Sequence, residues 1–200
     1  MARRSDHSRE EIKEMALQAA EEMILQDGKN GLSARKLAQA IGYTVGTLYL
    51  VFKNLDDLIL HVNARTLDRL YAEISSNLQT TQDSQIALMQ MAHTYIAFAN
   101  KEPLRWKTVF EHRAQLEDEA PDWYSERVSK MFSEVEKHLS ALAPHKTDKD
   151  IKNTARALWG GVHGICILGI SGNLGIAGVD SVEELTQSLI QNYLKGFTAD

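Results

Sequence analysis

The stretch LAQAIGYTVGTLYLVFKN, Leu37 to Asn54, carries a helical apolar rhythm that is broken at Gly42 and resumes past a second glycine, Gly46. Leu37, Ala38 and Ile41 share one face of a short helix that Ser33 is placed to cap and Gly42 to end. Thr44 is placed to cap the next helix, in which Leu48 and Phe52 lie one turn apart with Val45 on the same side, while Thr47 and Tyr49 point elsewhere.

Working outward, Ser8 and Glu11 have the spacing of a capping box, and Ile12, Ala16, Ala20, Met23 and Ile24 recur at helical intervals until Asp27 and Gly28. Three helices then share a small core. Two short helices joined by a glycine-containing turn and resting on a preceding helix make a helix-turn-helix, whose second helix enters the major groove. Gly46 and the small hydroxyls of Thr44 and Thr47 suit close approach to base edges, and Tyr49 and Lys53 can reach phosphate oxygens. Spacing alone leaves an ordinary helical hairpin open, with Gly46 a tolerated weak point costing about 1 kcal/mol relative to alanine.

Beyond Asn54 the pattern predicts a long helix from about Asp56 to Leu78, a loop at NLQTTQDSQ, and a mostly apolar helix ending before Pro103. A shorter helix follows in LRWKTVFEHRA, then one after Pro121 and one from about Lys149 to Ile170. Ser181, with Glu184 in the box position, caps the last helix, whose apolar stripe is Leu185, Leu189, Ile190, Tyr193 and Phe197. The expectation is an all-α chain of about nine helices, with a functional boundary near residue 55: residues 1–55 as a helix-turn-helix DNA-binding domain and 56–200 as a larger helical domain.

With 200 residues, 44% hydrophobic and 24% charged, the chain can bury a real core. The net charge of −5 is uneven: residues 1–55 hold eight Lys or Arg against seven Asp or Glu, giving +1, and the rest carries −6. That distribution permits approach to a polyanion through the amino-terminal end without requiring it. The lone Cys166 has no internal disulfide partner and the amino terminus no apolar secretory core, so a reducing cytoplasm is expected. The apolar stretch from Leu158 to Val179 is interrupted by His163, Asn173 and glycines and reads as buried helix plus loop rather than a membrane span.

The segment LSARKLAQAIGYTVGTLYLVFKNLDDLI resembles the amino-terminal domain of the tetracycline-repressor (TetR) family of bacterial transcriptional regulators. The shared frame is Ser33, the Leu37-Ala38 pair, Gly42, the Gly46-Thr47-Leu48-Tyr49 run, Phe52, and the helix opening from Lys53 to Leu58. Further on, ALWGGVHGICIL is similar to the Trp, His, Gly signature of one group of carboxy-terminal domains in these regulators, through Trp159, His163 and Gly164. The resemblance implies that Arg35, Thr44, Val45, Gly46 and Thr47 face the groove and that Ser33, Tyr49 and Lys53 hold phosphate. Positions 51 and 55, commonly phosphate contacts in the family, are here Val51 and Leu55, which shifts that load to Lys53 and to the arm residues Arg3 and Arg4.

The resemblance further implies a cytoplasmic, nucleoid-associated homodimer formed by the last two helices, and a small-molecule effector held among the middle helices. Trp106, Phe110 and Trp159 offer apolar faces for such an effector, and His93, His112, Arg113 and His163 offer polar groups; aromatics at this spacing also serve as plain core. No cofactor and no metal are expected, because the seven histidines show neither HExxH nor paired i, i+4 spacing. The glycines from Gly169 to Gly178 lack the lysine and hydroxyl of a P-loop. An operator-binding repressor released by an effector is the function implied. A DNA-bound protein that recruits a protein partner is the alternative, and no assembled nucleophile or carboxylate dyad points to an enzyme.

Overall fold

A computed structural model of the chain describes residues 7–78, 82–112, 120–178 and 181–199. The regular elements among them are all helical, as expected: α1 (Arg9–Asp27), α2 (Ala34–Ala40), α3 (Val45–Leu48), α4 (Leu55–Leu78), α5 (Ser84–Lys101), α6 (Pro103–Glu111), α7 (Asp122–Leu142), α8 (Asp148–Ile170) and α9 (Val182–Thr198). Single 3-10 turns lie at Lys29–Gly31 and Gly175–Ala177. No helix among the described residues is long and apolar enough to cross a membrane.

The capping signals act where the sequence puts them. Ser8 accepts from the Glu11 amide at 3.3 Å while the Ser8 amide donates to the Glu11 carboxylate at 2.6 Å. Ser33 accepts from Lys36, Thr44 from Thr47 and Ser181 from Glu184, at 3.1 to 3.2 Å. Each bond satisfies an amide that a helix start would otherwise leave unpaired. One box escaped the sequence reading: Thr147 and Asp150 cap α8 reciprocally, which starts it one residue earlier than Lys149. Gly28 and Gly42 stop α1 and α2 with φ of 66° and 75°, a backbone state that residues with a side chain rarely adopt.

The chain forms two compact units, Met1–Asp68 with Glu102–Tyr124 and Arg69–Lys101 with Ser125–Asp200. In the first, Ile12, Ala16, Ala20 and Ile24 of α1 meet Leu37 and Ala38 of α2, Leu48 of α3, Phe52, and Leu58, Ile59 and Val62 of α4 in one cluster. Each fully buried aliphatic side chain of this kind contributes about 1.5–3 kcal/mol. The unit also contains α6, packed against α1.

Charge secures that packing. Arg105 of α6, only 3% exposed, reaches Glu21 of α1 at 3.4 Å and Glu102 at 2.9 Å. Arg65 of α4 pairs with Glu14 and, at 3.5 Å, with the same Glu21. Asn63 of α4 donates to the Thr108 carbonyl of α6 at 3.3 Å. Glu21 is thus a shared acceptor for cations arriving from α4 and α6.

The second unit packs α5, α8 and α9 together. Phe98, Leu139, Ala155, Leu158, Val162, Ile190 and Leu194 are buried in it. Gly161 lets α8 and α9 approach: a methyl group there would come within 2.5 Å of Leu189. The apolar stripe of α9 is therefore largely turned inward, with Ile190 buried and Leu185, Leu189, Tyr193 and Phe197 half-buried. On α8, by contrast, Gly160 and Gly164 have open space where a Cβ would be. Ile167 and Leu168, which share that face at helical spacing, are 47% and 40% exposed.

Candidate nucleic-acid interface

α2, the turn through Gly42 and Tyr43, and α3 form the helix-turn-helix. The turn is closed by the Tyr43 amide donating to the Ala38 carbonyl at 2.9 Å and the Gly42 amide to Gln39 at 3.2 Å. α3 proper is a single turn, Val45–Leu48, continued by looser turns in which Leu50 donates to Thr47 and Phe52 to Leu48. Leu48 and Phe52 stay one turn apart and buried, at 1% and 3% exposed. These two anchors fix which residues of the element face outward.

Thr44, Gly46 and Tyr49 are exposed and Thr47 half-buried. The hydroxyls of Thr44 and Thr47 lie 3.0 Å apart, so the capping hydroxyl and its neighbour present one small polar pair at the start of α3. Val45 is half-buried and packs against the core cluster, which leaves only part of its side chain to offer outside. Arg35 is exposed on α2, and the half-buried Ser33 is already engaged as the cap of that helix. Lys36 turns its ammonium onto the Gly31 carbonyl at 3.1 Å.

Lys53 is exposed and its backbone is clamped. Its amide donates to the Asp57 carboxylate at 2.9 Å, and the Asp57 amide donates to the Asn54 side chain at 2.8 Å. These two bonds, both made by Asp57 but to successive residues, start α4 and fix the backbone from which the Lys53 side chain projects.

Gly46 is informative for what does not surround it. Among the described residues a Cβ built there meets only Thr44 Oγ1, at 3.7 Å, an ordinary contact. The fold therefore does not demand glycine at a helical position where glycine costs about 0.5–1 kcal/mol relative to alanine.

Family comparison agrees with this geometry. Residues 16–62 match the family described as bacterial regulatory proteins, tetR family, and residues 88–193 match the tetracyclin repressor-like C-terminal domain. The chain belongs to the TetR family. It is a transcriptional regulator by family, with a helix-turn-helix DNA-binding domain at its amino-terminal end.

Solved structures share the whole fold at low identity. A protein of unknown function from Rhodococcus sp. RHA1 matches with a TM-score of 0.76 at 18% identity, covering 98% of both chains. The Thermus thermophilus FadR, a TetR family repressor in complex with lauroyl-CoA, matches at 0.68 and 15% identity, covering 92% of this chain and 94% of its own. The Bacillus halodurans fatty acid degradation regulator FadR matches at 0.65 and 17% identity, covering 91% and 94%. Among curated protein sequences none matches.

The residues considered for an effector fall in both compact units. In the first, Trp106 is 2% exposed with its ring 5.0 Å from that of Phe110, which is 36% exposed. His112 is buried, with its Nε2 atom 3.5 Å from the Asp56 carboxylate. Burial pushes this imidazole below its ordinary value, and nearby Lys29 adds to the shift, while Asp56 opposes it.

In the second unit Trp159 of α8 stacks on His163 at 5.1 Å and 27°, and meets Phe132 of α7 edge-on at 5.8 Å. His163 Nδ1 is 2.7 Å from the Tyr95 hydroxyl of α5, and burial lowers its pKa. His93 is exposed on α5. Arg3, Arg4 and Arg113 lie outside the described residues.

Sequence reasoning missed Arg105 and the stack of His61 on Trp123, at 4.5 Å and 8°. Arg105 and Thr108 on the buried face of α6 and His112 at its C-cap follow helical spacing, and that polar stripe on a core-facing helix was the available signal. Cys166 is buried, and burial pushes its thiol up to about 12, so it stays protonated and unreactive. Among the described residues no group of three or more His, Cys, Asp or Glu could hold a metal ion.

Proposed function

We propose that the chain is a dimeric repressor that binds an operator through α3 and is released by a small apolar or aromatic effector. The observation that carries the DNA-binding part is the exposed surface of α3, where Thr44, Gly46 and Thr47 are small and Gly46 has no packing reason to be glycine. Arg35, Thr44 and Thr47 face the groove, with Gly46 allowing the approach and Val45 contributing its outer edge; Ser33, Tyr49 and Lys53 hold the backbone on either side. The functional boundary stays near residue 55, where chemistry that can face DNA ends.

The dimer reading is supported by the exposed α8 face of Gly160, Gly164, Ile167 and Leu168, where a second copy can lie close. An apolar effector is supported by aromatic residues in each unit taken by itself: Trp106 and Phe110, with His112 as a polar group, in the first, and Trp159, with His163 and His93 as polar groups, in the second. The lauroyl-CoA bound by the Thermus thermophilus repressor of the same fold is in line with such a ligand. Trp159, His163 and Gly164 also support placing this domain in the Trp/His/Gly-signature group. The effector shifts the population toward a state whose two α3 helices no longer fit half-sites one helical turn apart.

Selection of bound duplexes from a random pool, followed by titration of the selected duplex with saturated acyl-CoA esters, tests the reading. Recovery of a two-fold symmetric site, and its release by ligand over the range in which tryptophan fluorescence changes, is expected. A protein that enriches no sequence overturns operator binding. A complex insensitive to every ligand, with a protein partner bound instead, favours the recruiting alternative.

A further inference from the structure

Outside the helix-turn-helix proper, one side-chain pair joins its turn to the start of α1. The imidazole Nδ1 of His7 lies 2.7 Å from the Tyr43 hydroxyl, across 36 positions of sequence, with the two rings edge-on at 6.0 Å and 71°. Both ends are anchored. Tyr43 packs its ring against the core cluster and its amide is bonded to Ala38, while His7 directly precedes the capping box of Ser8 and Glu11. The Glu11 carboxylate is engaged by the Ser8 amide, and that bond holds it below the ordinary carboxylate range.

Tyr43 immediately precedes Thr44, the N-cap of α3. A major groove is about 12 Å wide with phosphate strands on both sides, so an exposed group one tyrosine length from the start of the recognition element is within the span of a flanking strand. Phosphate contacts are made by hydroxyl and ring N–H donors as well as by lysine and arginine. They are in demand here, because Val51 and Leu55 supply none and the Lys36 ammonium is turned onto Gly31.

We propose that His7 is a DNA-backbone contact, its Nε2 edge donating to a phosphate, and that Tyr43 is the positioning residue that holds the ring in place through Nδ1. The pair deepens the DNA-binding reading on which it rests: it adds a sequence-independent contact from α1 and makes Tyr43 a residue that acts through another. Neither residue reads a base, so the affinity it supplies is the same for all sequences.

The test compares the wild-type chain with Tyr43→Phe, His7→Ala and the double variant on two duplexes, one selected from a random pool and one of mixed sequence. Losing one hydrogen bond per protomer predicts about a two- to tenfold weaker affinity for each half-site engaged in each single variant, equal on both duplexes, with the thermal transition unchanged. The double variant should lose no more than His7→Ala alone, since Tyr43 acts only through His7. Wild-type affinity in Tyr43→Phe, losses that add in the double variant, a loss confined to the selected duplex, or a parallel fall in the thermal transition would each overturn the pair. A wild-type chain that binds neither duplex would instead remove the DNA-binding reading and this inference with it.

Discussion

A methyl group added at Gly161 would come within 2.5 Å of Leu189, whereas one added at Gly46 would meet nothing closer than Thr44 Oγ1 at 3.7 Å. Both glycines lie at helical positions, Gly161 well inside α8 and Gly46 in the single turn of α3, where glycine is less favourable than alanine. The structure separates them. On α8 the approaching partner is α9 of the same chain, so the glycine serves packing; on α3 no partner crowds the glycine among the described residues, so packing there supplies no reason for it.

The largest effect should follow from filling the first of these. Gly161→Val forces a branched side chain into the α8–α9 contact and, as overpacking, should cost about 1–3 kcal/mol, partly relieved by movement of the Leu189 end. Calorimetry should show the transition fall by roughly 2–4 °C for each kcal/mol in a chain of this size. An unchanged transition would mean that α8 and α9 do not approach at Gly161, and the contrast with Gly46 would disappear. Leu189→Ala in the same background should restore part of the loss, because it removes the atoms that clash.

Much of this was legible in the sequence where the signal is local. Caps, helix stops and the buried anchors Leu37, Leu48 and Phe52 depend on residues a few positions apart, and those rules hold for any helix. What stayed hidden depends on which segments cross. Glu21 accepting from both Arg65 and Arg105, Tyr95 meeting His163, and His61 stacking on Trp123 are pairings no spacing rule contains. The inward turn of the α9 stripe belongs here too: an apolar face says that it will be covered, not by what. For the same reason Trp106, 2% exposed, and His93, exposed, could not be told apart as candidate contacts by residue type.

Buried and half-buried histidines extend the comparison to pH. His112 in one compact unit and His163 and His138 in the other are all shifted down chiefly by burial. With folded values below the unperturbed value of about 6.5, the folded chain binds fewer protons than the unfolded chain on the acid side of that value. Stability should therefore be highest above pH of about 6.5 and decline as the pH falls below it. His112→Asn and His163→Asn should each flatten part of that decline, measured by denaturant unfolding across the range. A decline left intact in His112→Asn would show that its imidazole is hydrated in the folded state.

The smallest change in stability, and the one that sharpens the contrast most, is Gly46→Ala. Alanine keeps the helical backbone at this position and its methyl group has room, so the variant should be more stable by about 0.5–1 kcal/mol. If the surface of α3 lies against base edges, that same methyl group enters a space the DNA occupies. Overpacking of about 1–3 kcal/mol there corresponds to an affinity loss of about 5- to 150-fold for the selected duplex. Mixed-sequence duplex, held through phosphates alone, should lose less, because the protein can stand slightly further off without giving up charge contacts. The two measurements must move in opposite directions. A variant that is more stable and binds as well as wild type would show that glycine is not there for DNA. One that is less stable would show that the backbone at Gly46 is not helical, and the open space around it would then explain nothing about binding.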